Sequence, residues 1–154
     1  MASYEGGLVP PTGRFAIVAS KFNIEIVERL VAGAKDALLK KKVAEDAIDL
    51  AWVPGAFELP LVAQKLAASK RYLAVICLGA VIRGDTDHYD YVCKAAADGI
   101  LQAGLTTGIP ILFGVLTCET DEQANDRAGG KAGNKGADVA SAAIEMVTLL
   151  QQLP

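Results

Sequence analysis

The hydrophobic positions of this chain fall into two rhythms that alternate from one end to the other. Arg14–Ser20 (RFAIVAS) is a short apolar run, as expected for a strand buried on both faces. From Asn23 to Lys42 the apolar residues Ile24, Val27, Leu30, Val31, Ala34 and Leu38 recur at helical spacing, and Asn23 stands where an N-cap is expected. Ala47–Val53 predicts a second strand, closed by Pro54-Gly55. A helix follows from about Phe57 to Ala68, with Pro60 tolerated in its first turn. Tyr72–Ile82 is a continuous apolar run, the pattern of a central parallel strand. A helix from about His88 to Gly104 leads to a fourth strand, Pro110–Leu116. The remainder predicts helix, broken near Gly129-Gly130, restarted around Asn134 and ending near Leu150.

Alternating strands and helices call for a parallel sheet covered on both faces. With right-handed crossovers, the expected fold is a flavodoxin-like three-layer α/β/α sandwich around a four-stranded parallel sheet. Residues 14–154 then form one domain, preceded by an arm of residues 1–13. Within that arm Tyr4–Val9 is set apart by Pro10-Pro11. It is expected to pair with the sheet edge of a neighbouring subunit, with a disordered tail as the alternative.

Composition narrows the function classes. The formal net charge of −3 supplies no electrostatic drive toward nucleic acid or an anionic membrane. Lys40, Lys41 and Lys42, the densest basic run, fall where a helix should end and complement its dipole. The N-terminus lacks the basic and apolar blocks of a secretory signal, and Tyr72–Ile82 is far short of the roughly 20 residues that span a bilayer. Cys77, Cys93 and Cys118 have no metal-like spacing and fit reduced thiols of a cytoplasmic protein, so no metal and no cofactor is expected. Hydrophobic residues make up 52% of the chain. With glycine counted and tyrosine left out, the apolar share exceeds the typical roughly 45–50%. A small domain cannot bury that surplus alone, so a homo-oligomer is expected.

The chemistry gathers where the predicted strands end. In open parallel sheets, ligands bind outside the carboxyl ends of the strands. Those ends carry Ser20-Lys21-Phe22-Asn23, Pro54-Gly55-Ala56-Phe57-Glu58, Arg83-Gly84-Asp85-Thr86-Asp87-His88 and Phe113-Gly114. GAVIRGDT (79–86) nearly matches a P-loop, but Asp85 stands where the lysine must be, which disfavours an NTPase. A glycine turn feeding a helix N-terminus, with the Thr86 hydroxyl beside it, suits one phosphate; an ordinary strand-to-helix turn fits equally. His88, the only histidine, begins that helix between Asp87 and Asp90 and is the candidate for proton transfer. Phe22 offers a ring face to a planar heterocycle, while Phe57 is as well explained as core. Glu58 can accept from hydroxyls, or simply sit in a helix's first turn. Arg127, with Lys131 and Lys135, is either a solvated basic loop or an anion clamp for a neighbouring subunit's site.

Taken together, FN at 22–23, PGAFELP at 54–60, GAVIRGDTDHYDYV at 79–92, FGVLT at 113–117 and RAGGKAGNKG at 127–136 resemble the lumazine synthase family. These motifs span most of the chain in order. The resemblance implies a transferase that condenses 5-amino-6-ribitylaminopyrimidinedione with 3,4-dihydroxy-2-butanone 4-phosphate, releasing phosphate and water, in the penultimate step of riboflavin synthesis. It implies that Phe22 stacks on the pyrimidine, and that Asn23, Ala56, Phe57, Glu58, Val81 and Ile82 hold the ring and ribityl chain. Gly84, Asp85, Thr86 and Arg127 would bind the phosphate, and His88 would move protons. Phe113, Arg127 and Lys135 would serve an adjacent subunit's site in a homopentamer. The compact turn from Gly129 to Lys135 favours assembly of pentamers into an icosahedral capsid, and riboflavin synthase is the candidate protein partner.

Two features sit awkwardly with this picture. Asp85 puts an acid beside the phosphate turn, tolerable if it points away or pairs with Arg83 or Arg127. Asn125-Asp126 is more polar than expected before Arg127. Two other readings stay open: an archaeal-type riboflavin synthase, against which the phosphate clamp argues, and a flavin- or lumazine-binding cage with little activity.

Overall fold

Four strands pair in parallel in the order β2-β1-β3-β4, as a computed structural model of residues 1–154 shows. They are β1 (Phe15–Ser20), β2 (Ile48–Val53), β3 (Ala74–Ile82) and β4 (Ile111–Cys118). The intervening helices are α1 (Ile24–Lys40), α2 (Leu59–Ala68) and α3 (His88–Thr107). After β4 come α4 (Asp121–Arg127), a small hairpin of β5 (Ala128–Gly130) and β6 (Gly133–Asn134), and α5 (Lys135–Gln152). This is the expected three-layer α/β/α sandwich. The chain order reverses between β1 and β3, the switch point at which such sheets open a crevice.

Strand alternation divides the core in two. Phe15, Ile17 and Ala19 of β1, with Ile76 and Leu78 of β3, pack under α1 and α5. Their neighbours Ala16, Val18, Val75 and Cys77 face α2 and α3. Leu30, Leu38, Leu59, Ile100 and Ile144 are the helical side chains that close these layers. Truncating any one of them to alanine would cost about 2–5 kcal/mol. The α1–α5 crossing is so close that a Cβ on Gly136 would overlap the Leu30 carbonyl, which makes glycine obligatory there.

Several expected boundaries move, each for a local reason. The helix expected from Phe57 opens as a 3-10 turn, Ala56–Glu58, before α2 proper. α3 passes through Gly104 and stops at Gly108, whose φ of 70° supplies the left-handed cap. β4 runs two residues further than expected, because Val81 and Ile82 of β3 still offer it backbone partners at Thr117 and Cys118. The break at Gly129-Gly130 is a hairpin, with left-handed Gly129 and Gly133. Asn23 occupies the N-cap position of α1 but is itself left-handed, with φ 59°, and does not cap. Asn134 caps α5 instead, accepting from the Ala137 N–H.

The arm lies along the last turns of α5. The Gly7 N–H donates to Thr148 Oγ1 at 2.7 Å, and Gln152 Nε2 donates to the Glu5 carbonyl. No helix is long and apolar enough to cross a membrane.

Candidate active site

A cavity of about 590 Å³ opens at the carboxyl ends of β1 and β3, within the size range of small-molecule sites. Its walls come from three strand-to-helix turns, which bring together residues far apart in sequence. From β1 comes Phe22; from the β2–α2 turn Gly55, Ala56, Phe57 and Glu58; from β3 and α3 Ala80, Val81, Ile82, Gly84, Thr86, His88, Tyr89 and Val92. Phe22 and Phe57 are 72% and 61% exposed, so both rings present bare faces and neither is core. For Phe57 this decides between the two readings.

Phe22 is held from both sides. Its own N–H donates to the Pro54 carbonyl, and the neighbouring Asn23 donates through Nδ2 to the Ala80 carbonyl at 2.8 Å. Asn23 therefore braces β1 against β3, and its left-handed backbone, which asparagine tolerates, turns the chain into α1. Glu58 uses one carboxylate oxygen to accept from the Gly55 N–H at 3.0 Å. That bond rigidifies the β2–α2 turn and leaves acceptor capacity for a ligand hydroxyl.

The turn Gly84–Asp87 enters α3 without a side-chain cap. The His88 N–H donates to Thr86 Oγ1 at 3.3 Å, and the helix dipole adds positive potential there. His88 is exposed at the cavity wall. Asp85, within that turn, is exposed and does not line the cavity. It pairs with neither arginine: Arg83 binds Asp90 and Glu119, and Arg127 donates to the Gln123 carbonyl.

A second, separate cavity of about 400 Å³ lies along β4, an edge strand of the sheet. Phe113, Val115, Thr117, Arg127, Lys135 and Asp138 line it. Lys131 lies instead 3.6 Å from Asp126. Phe113 is not at a strand end as expected. It sits mid-strand opposite Cys77, as it would in the shorter strand Pro110–Leu116 as well. The two cavities share no lining residue.

A family model for 6,7-dimethyl-8-ribityllumazine synthase matches residues 12–151. The chain belongs to the 6,7-dimethyl-8-ribityllumazine synthase family. Membership makes it a transferase-type enzyme of riboflavin biosynthesis, acting in lumazine synthesis. Of the residues the lumazine synthase resemblance singles out, Phe22, Ala56, Phe57, Glu58, Val81, Ile82, Gly84, Thr86 and His88 meet in the first cavity. Phe113, Arg127 and Lys135 meet in the second. Asn23 and Asp85 line neither.

Tyr89 and Val92 escaped the sequence reading. Val92 lies one turn beyond His88 and Tyr89, four residues after the one and three after the other, a spacing the motif itself contains. The thiols stand apart from this chemistry. Burial pushes Cys77 up to about 12 and also raises Cys93 and Cys118, so none is poised as a nucleophile.

Proposed function

We propose that the protein condenses 5-amino-6-ribitylaminopyrimidinedione with 3,4-dihydroxy-2-butanone 4-phosphate to 6,7-dimethyl-8-ribityllumazine, releasing phosphate and water. The observation that carries this reading is the split between the two cavities. One holds an exposed aromatic face, a phosphate-sized turn and a histidine; the other holds Arg127 and Lys135 beside Phe113. Joined across two copies, they supply a stacking surface, hydroxyl acceptors, a dianion clamp and a proton shuttle.

In this reading Phe22 stacks on the pyrimidine, and Ala56, Phe57 and Val81 frame the ring. Glu58 accepts from the ribityl hydroxyls, with Ile82 alongside and Asn23 bracing the wall. Backbone N–H groups of Gly84 and Asp85, the Thr86 hydroxyl and the adjacent copy's Arg127 bind the phosphate. Phe113 and Lys135 close the site from that adjacent copy. Imine formation, phosphate elimination and ring closure move protons at nitrogen and oxygen, and His88 assists there. Holding both reactants together contributes roughly 7–11 kcal/mol, and general acid–base help about 10²–10⁴-fold.

Surface area supports an oligomer. A folded monomer of 16.1 kDa exposes about 7,400 Å². This chain exposes 8403 Å², including Leu101 and Leu105 on α3. A homopentamer, with residues 1–13 as an arm that can pair with a neighbouring sheet edge, would cover that excess. Stacked into an icosahedral capsid, it would hold sites between subunits. Three thiols free of disulfides fit a cytoplasmic enzyme, for which riboflavin synthase is the partner that consumes the product.

The test is direct. Mixing the protein with both substrates should produce lumazine fluorescence and one phosphate per turnover. Reassembling a His88→Ala variant with an Arg127→Ala variant should restore part of the activity, because some mixed interfaces regain both groups. No recovery would place the whole site within one chain. Tight lumazine or flavin binding without either product would leave the binding-cage reading, and light scattering of the same sample separates pentamer from shell.

A further inference from the structure

We infer that Arg83 is a positioning residue that ties the phosphate turn of one site to the Arg127 arm serving the next. This rests on the composite site proposed above. Arg83 immediately precedes the turn Gly84–Thr86, lines neither cavity itself and is the hub of a network beside them. Its Nε donates to Glu119 Oε2 at 2.8 Å and its Nη2 to Asp90 Oδ1 at 3.2 Å. Its guanidinium lies over the ring of Tyr89, 4.3 Å from the centroid, and Tyr89 lines the first cavity. Its backbone N–H donates to the Cys118 carbonyl at 2.9 Å, extending the β3–β4 ladder to the edge of the turn.

From Glu119 the network continues into α4. The Glu119 N–H donates to Gln123 Oε1 at 2.8 Å, and the Gln123 carbonyl accepts from Arg127 Nη1 at 3.0 Å. The Arg83 guanidinium thus holds Tyr89 on one side and Glu119 on the other, and Gln123 carries the connection from Glu119 to Arg127. The turn needs such an anchor, because it is not packed: a Cβ on Gly84 would meet nothing within 4 Å. Its downstream flank is fixed by the bond from the His88 N–H to Thr86, its upstream flank by Arg83.

The Arg83 side chain is 37% exposed, and its partners more so. Ion pairs of that exposure add little to stability, so orientation is the effect to look for. Only arginine can fork between two carboxylates while stacking on a ring; lysine keeps the charge and loses the geometry.

The measurement is steady-state kinetics of the assembled enzyme with each substrate varied, plus inhibition by inorganic phosphate. Arg83→Lys should raise KM for the butanone phosphate about tenfold and weaken phosphate inhibition in parallel. KM for the pyrimidine and the melting temperature should stay near wild type. Glu119→Gln and Gln123→Leu, both exposed positions, should shift the same two readings by smaller factors. They also carry the test if Arg83→Lys fails to assemble. Unchanged phosphate inhibition and KM in these variants would overturn the inference, as would equal losses toward both substrates. Wild-type turnover and an Arg127→Ala control keep the two claims apart. No lumazine from wild type would sink the proposed function, whereas a normal control with silent network variants sinks only the role of Arg83.

Discussion

The two ends of the parallel sheet are built on opposite principles. At the amino end, Arg14 donates to both oxygens of Asp49, through Nη2 at 2.6 Å and Nε at 3.3 Å, and the Tyr72 hydroxyl donates to the same carboxylate at 2.6 Å. Each group satisfies another, and three strand starts are tied together. These hydrogen bonds, first from Tyr72 and then from Arg14, hold the Asp49 carboxyl below its ordinary range; the bond to Asp49, with burial, raises Tyr72. At the carboxyl end, Phe22, Phe57 and His88 are left uncovered around a cavity. Polar residues close on themselves where they stabilise, and stay open where a ligand is to complete them. In a parallel sheet the asymmetry is inherent, since helix N-termini gather only at the carboxyl ends.

Substitutions at the two ends should therefore separate activity from stability. The largest effect is expected from His88→Ala, which should lower kcat about 10²–10⁴-fold while leaving residual turnover and the melting temperature near wild type. Complete loss in a folded, assembled variant would show that His88 carries the chemistry rather than assisting it. Arg127→Ala comes next. Loss of charge-assisted bonds should raise KM for the butanone phosphate roughly 30–100-fold, with the pyrimidine little affected, and equal shifts would contradict the anion-clamp role.

At the other end Asp49→Ala should cost about 1 kcal/mol of stability in a denaturant titration, chiefly through the buried Tyr72 hydroxyl left unpaired, with kcat and both KM values unchanged. A fall in kcat would erase the distinction between the ends. The pH dependence follows in sign. A depressed carboxyl contributes stability that is present above its unfolded value, about 3.9, and lost as pH falls through the lower folded value. A raised phenol contributes stability present below about 10 and lost as pH rises through the folded value. Asp49→Ala should flatten both limbs of a melting-temperature profile. The smallest effect is expected from Phe22→Leu, which removes the ring but keeps apolar bulk. It should weaken pyrimidine binding by about two- to tenfold, measured by equilibrium binding.

Much of this was legible before any coordinates. The β/α alternation, the reversed charge of the near-P-loop at Asp85 and the grouping of polar residues at strand ends all come from local pattern. Phe57 was not legible, since a phenylalanine after Pro-Gly is equally core or surface until its neighbours are placed. Nor was Asn23: its residue type invites capping, yet the nearby Ala80 carbonyl recruits its amide instead. Phe113 was misplaced because it reaches a cavity sideways, from mid-strand on the open edge of β4, and not from a strand end. Asn125, an unexpected polar residue, gains its reason only in three dimensions, where Arg29 of α1 donates to its side-chain carbonyl.

The sequence by itself determined the layers, because strand and helix periodicity are local properties of apolar spacing. It also determined which polar and aromatic residue types gather at the carboxyl ends of the strands. Only the tertiary structure decided that these residues divide between a cavity at the ends of β1 and β3 and another along the edge strand β4. It likewise decided that Arg83 links the two, because contacts between Arg83, Asp90 and Glu119 exist only once β3, α3 and β4 are packed together.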